Sequence, residues 1–140
     1  MRTRTWILLV VSAAIIAGLG PLALVPITSA SRERVFEIPP GTWARRMAGE
    51  KIETLPDHIY LTVGVRDILV LKNHDGVPQT FGPTLMMPGQ SFTLPFERAA
   101  EYQFACTAHA SGQMTIVVDS YPATPWARVS WRTRDLLRRL

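Results

Sequence analysis

From Val35 onward, apolar and polar positions alternate in short runs separated by glycine, proline and small polar residues. His58 to Val63 sets Ile59, Leu61 and Val63 on one side and His58, Tyr60 and Thr62 on the other, the period of a half-buried strand. Ser91 to Phe96 repeats this with Phe92, Leu94 and Phe96 in register, after a Pro88-Gly89 turn. Tyr102, Phe104 and Cys106 share one face of the next strand, and Met114, Ile116 and Val118 one face of the last. Ile68 to Leu71 is apolar throughout, as expected of a central strand covered on both sides. Val35 to Ile38 predicts a first strand stopped by Pro39-Pro40-Gly41, and Thr42 to Met47 a helical turn capped by Thr42. About six or seven such strands with little helix predict an all-β antiparallel sandwich of roughly a hundred residues.

Both ends of the chain break the pattern. Arg2 and Arg4 precede an apolar run from Trp6 to Ile27 that has no polar face. A bilayer takes about 20 apolar residues to cross, so residues 1–30 predict a signal anchor, with the arginines inside. The rest would then lie on the extracytoplasmic side of the cell membrane. Thr28-Ser29-Ala30 keeps open the alternative of a signal peptide removed on secretion. Residues 31–120 are the domain, and 121–140 a linker and tail. In the tail, Trp126, Val129, Leu136, Leu137 and Leu140 share one helical face, with Arg128, Arg132, Arg138 and Arg139 away from it. This basic amphipathic helix suits an anionic membrane surface or another subunit.

Composition adds three points. The hydrophobic share is 47%, with its excess in the first thirty residues, and the net charge of +4 reflects the arginines of the tail. The middle is nearly balanced, so nothing argues for nucleic acid. No glycine-rich phosphate loop, helical His pair or nucleophile elbow is present, which leaves hydrolase and nucleotide chemistry unsupported. The chain does not read as an enzyme. Its single cysteine, Cys106, excludes an intramolecular disulfide.

That cysteine opens the stretch with the most chemistry, Cys106-Thr-Ala-His109-Ala-Ser-Gly-Gln-Met114, between two predicted strands. A thiolate, an imidazole and a thioether are ligand types that copper prefers together. Singly, each has a plain reading: a buried small hydrophobe, a loop histidine, a core methionine. Their joint spacing raises the metal reading. The segment matches Tyr-x-Phe-x-Cys-x-x-His-x-x-x-x-Met, with Tyr102 and Phe104 in place, and Asn73 to Pro78 matches an upstream Asn-x-x-x-x-Pro-His stretch whose histidine falls on Gln79. On these residues the chain resembles the cupredoxins, the plastocyanin- and azurin-like blue-copper proteins, over roughly Ile52 to Val118. It is similar to the membrane-anchored bacterial type with a single such domain.

The resemblance implies a Greek-key β-sandwich and a copper site with Cys106 as thiolate ligand, His109 as equatorial nitrogen and Met114 as axial sulfur. Asn73 would tether the ligand loops. The copper would pass one electron to or from a redox partner protein. Gln79 departs from the pattern, and three outcomes stay open: Gln79 as a weak fourth ligand, His74 swinging in as the second imidazole, or a site without metal. Correspondingly, one-electron transfer stands beside two rivals. These are a Cu(I) carrier or sequestering module, and a metal-free structural subunit of a membrane complex.

Overall fold

The alternating segments fold into eight strands and two helices, in a computed structural model that describes residues 18, 23–50 and 54–138. In chain order these are β1 (Glu33–Ile38), α1 (Thr42–Met47), β2 (His58–Thr62), β3 (Ile68–Asn73), β4 (Gln79–Phe81), β5 (Thr84–Met86), β6 (Ser91–Pro95), β7 (Ala100–Ala105), β8 (Gln113–Asp119) and α2 (Pro125–Leu137). Ser29–Tyr121 form one compact unit. Within it, one sheet has the order β1-β3-β6 and another β2-β8-β7, with β4-β5 as a separate hairpin. Ile38, Leu69 and Leu71 from the first sheet bury against Ile59, Leu61, Ile116 and Val118 from the second, joined by Phe81 and Met86 of the hairpin. This is a β-sandwich.

β3 lies between two neighbours, and Leu69, Val70 and Leu71 are all buried, which is why that run is apolar without alternation. The edge strand β2 keeps its alternation, with Ile59 and Leu61 in the core and His58 outside.

The sheets are mixed where the sequence predicted antiparallel pairing throughout. β1 runs parallel to β3 from Glu33↔Ile68 to Ile38↔Asn73, and β2 parallel to β8 from His58↔Thr115 to Thr62↔Asp119. The chain alternates between sheets over β1, β2 and β3, so consecutive strands there cannot pair as hairpins. The cap of α1 also differs from expectation. Its N-cap is Gly41, at φ 78°, and the Thr42 hydroxyl donates to Pro39 O at 2.7 Å. The open amides at this helix start are taken by Asp75, thirty-odd residues away in sequence, through Gly41 N at 2.9 Å and Trp43 N at 2.8 Å.

The described parts of the two chain ends belong to a second unit. Thr124 Oγ1 caps α2 by accepting from Ala127 N at 3.2 Å, with Pro125 opening the helix. Trp126, Leu136 and Leu137 are exposed and Leu140 lies outside the described residues. Arg128 donates to Leu24 O at 3.4 Å and Arg132 to Val25 O at 2.8 Å. The expected single-pass location at the cell membrane is corrected: among the described residues no helix is long and apolar enough to cross a membrane. The helical turn at Ala23–Leu24 ends at Val25, before Pro26, whose ring disfavours helix in the preceding residue. Most of the run from Trp6 to Ile27 lies outside the described residues.

Candidate functional site

The end of β7, the start of β8 and the turn between them carry Cys106, His109 and Met114. Cys106 N donates to Gly112 O at 2.9 Å, His109 N to Cys106 O at 3.3 Å and Gly112 N to His109 O at 3.1 Å. Gly112 sits at φ 75°, which only glycine adopts without strain, and this lets the loop close so tightly. All three candidate side chains are buried: Cys106 and Met114 belong to the core cluster, and His109 is 3% exposed. Opposite, Phe81 of β4 bridges to Cys106, and Thr107 N donates to Thr80 O at 3.0 Å. The strand carrying Gln79 is therefore stitched to the cysteine loop by main chain.

Gln79 is 1% exposed, and both ends of its amide are engaged. Nε2 donates to Asp75 Oδ2 at 3.1 Å, and Oε1 accepts from Thr107 Oγ1 at 2.7 Å. The amide's orientation follows from its neighbours. Asp75 is an acceptor, and the Thr107 hydroxyl already accepts from Thr80 N at 2.8 Å, so it has its proton to give. Gln79 thus ties the loop after β3 to the loop after β7. Asp75 is buried and also accepts from Gly41 N, Trp43 N and Gly76 N, so α1 hangs from the same carboxylate. Asn73 completes the frame: Nδ2 donates to Val77 O at 2.9 Å and Met86 O at 3.1 Å, and Oδ1 accepts from Asp75 N at 3.0 Å.

The other groups are equally occupied. His109 Nε2 lies 3.0 Å from Asp57 Oδ1, and Nδ1 lies 2.8 Å from Ser111 Oγ and accepts from Ser111 N at 3.3 Å. The Ser111 hydroxyl also donates to Gln113 O at 2.9 Å, so its single proton is shared between that carbonyl and the ring nitrogen. His74 is half-exposed, with Nε2 3.8 Å from Glu37 Oε2 on the surface. Burial pushes the Cys106 thiol up, against the opposite pull of the Ala108 and His109 amides and the charge of Arg46. Arg46 Nη1 is itself buried with no hydrogen-bond partner among the described residues.

Copper, the metal the resemblance implies, takes a deprotonated thiolate and side chains with free lone pairs. In this structure the Gln79 amide and both nitrogens of the His109 ring are engaged by protein partners that a metal would have to displace. Burial disfavours the Cys106 thiolate. No group of three or more His, Cys, Asp and Glu gathers among the described residues. Sequence reasoning missed Asp75, Thr107, Asp57 and Ser111. For Asp75 a signal existed in Asn73-His74-Asp75-Gly76, an Asx-turn composition.

No family model and no curated protein matches the chain. Among solved structures, a purple cupredoxin from Nitrosopumilus maritimus is similar at 18% identity, over 61% of this chain and 98% of its own, with a TM-score of 0.45. An oxidised amicyanin variant is similar at 20% identity over 70% of this chain and 89% of its own, TM-score 0.44. The Cu(I) form of another amicyanin variant is similar at 19% identity over the same shares, TM-score 0.45. The sandwich itself is read from the strand order and register above.

Proposed function

We propose that residues 29–121 are a cupredoxin-like module with no resident metal, a structural and docking part of a protein assembly. One observation carries this reading: the buried amide of Gln79 is spent, Nε2 on Asp75 and Oε1 on Thr107. A hydrogen-bond bridge joins the two loops that a shared metal would otherwise join. Docking is supported by Trp43 and Met47 of α1 and Leu85 and Met87 at β5, all exposed, on elements held by Asp75 and Asn73. The electron-transfer and Cu(I)-carrier readings both require Cys106 to deprotonate and His109 to exchange partners.

The test is a copper titration of the full chain, as Cu(I) and as Cu(II), with a metal count and a visible spectrum. The expected result is no stoichiometric copper, and a Cys106→Ser variant that folds as the parent does. One equivalent of copper with an intense thiolate-to-copper band would overturn the proposal in favour of electron transfer. One equivalent of colourless Cu(I) would overturn it in favour of the carrier.

A further inference from the structure

β6 and β7 are edge strands of opposite sheets, joined directly by residues 96–99. No strand among the described residues closes the sandwich along this side. The inner faces carry Phe92 and Leu94 on β6, continued by Phe96 just beyond it, and Tyr102 and Phe104 on β7, and all but Phe96 stay only half-buried. Between them lies a cavity of about 440 Å³. It is a cleft open to solvent, walled by bulky apolar side chains. It falls in the size range of small-molecule sites.

The rings form a continuous girdle. Phe92 stands 5.8 Å from Phe81, Phe81 4.9 Å from Phe104, Phe104 6.5 Å from Tyr102, and Tyr102 5.0 Å from Phe96. Leu94 completes the circuit between Phe96 and Phe92 on β6. The chemistry of the lining selects the ligand. Phe81 and Phe104 stack at 27°, while Tyr102 and Phe104, nearly parallel, lie side by side along β7. The Tyr102 hydroxyl is spent on Arg98 O at 3.2 Å. Glu97 and Arg98 both line the mouth and offset each other's charge.

We infer that this cleft is a binding site for an uncharged, apolar small molecule, which lies against the β6 and β7 rings and covers the open side of the sandwich. Such a ligand gains apolar burial from side chains now half in water and asks for no polar partner. The lining contains none of Cys106, His109 and Met114, and the inference does not rest on whether the module holds a metal.

The probe is N-phenyl-1-naphthylamine, neutral and aromatic, titrated into the full chain with its fluorescence followed. Saturable binding at one equivalent is expected. Leu94→Trp, which fills the cavity, should weaken it by about tenfold or more. Trp126→Ser, which removes an exposed apolar side chain of α2, should leave it unchanged. Nuclear Overhauser contacts from the probe to the Phe92 and Phe104 rings of the unsubstituted chain decide the case even if Leu94→Trp fails to fold. Absence of saturable binding, full binding by a folded Leu94→Trp, loss of binding in Trp126→Ser, or probe contacts confined to other residues would each overturn the inference.

Discussion

Replacing Gln79 with leucine keeps most of the side-chain volume and removes both hydrogen bonds of the bridge. The bond from Nε2 goes to a buried carboxylate, and a bond to a charged group contributes about 1.5–3 kcal/mol. The bond from Thr107 is neutral and contributes about 1 kcal/mol. Two effects reduce the loss. Asp75 keeps three backbone donors, and Thr107 is exposed, so its hydroxyl finds water. Leucine also gains apolar burial of about 1 kcal/mol. The net cost is then about 2 kcal/mol, which in a domain of this size lowers Tm by about 8–16 °C. Thermal unfolding followed by circular dichroism, without added metal, measures it. A double-mutant cycle with Thr107→Val should show a coupling of about 1 kcal/mol. A Gln79→Leu variant melting within about 2 °C of the parent, or strict additivity with Thr107→Val, would refute the bridge as the tie between the loops.

Two further outcomes follow from the same frame. Asp67 is buried, accepts from the Arg32 guanidinium and from Gly64 N at 2.8 Å, and its carboxyl is held below the usual carboxylate range mainly by the Arg32 hydrogen bond. This stabilisation is complete above the unfolded value near 3.9 and lost as pH falls through the lower folded value. Because Arg32 is exposed, Asp67→Asn should cost only about 1–2 kcal/mol at neutral pH, the gap shrinking in strong acid; denaturant unfolding that shows the same gap at both would contradict this. Gly82 stands at φ 54°, and a Cβ there would lie 2.9 Å from Phe104 Cδ1. Gly82→Ala should therefore destabilise by about 1–3 kcal/mol and shift the Phe104 ring resonances, whereas an unchanged Tm would show that the turn and ring give way freely.

Strand positions were legible in the sequence because burial on one face of a strand imposes a two-residue period that polar substitutions cannot hide. Ile59/Leu61, Met114/Ile116/Val118 and the unbroken apolar run of β3 all follow it. The Cys106 loop was legible too, since the Cys106–His109–Met114 spacing and Gly112 lie within one short segment. Thr42 as a helix cap was not, because a local side chain was credited with donors that a distant carboxylate satisfies.

Local pattern therefore determined the strands, the sandwich class, the tight loop with its soft side chains and the departure at Gln79. Tertiary structure alone shows what the Gln79 amide touches. Whether an amide at position 79 is a free donor to a metal or a spent hydrogen-bond bridge depends on Asp75 and Thr107, which come from different loops and meet only when the sheets pack. The parallel pairings of β1 and β2, and the ring-lined cavity between β6 and β7, are likewise products of non-neighbouring strands. Sequence periodicity records which face of a strand is buried. It does not record what buries it.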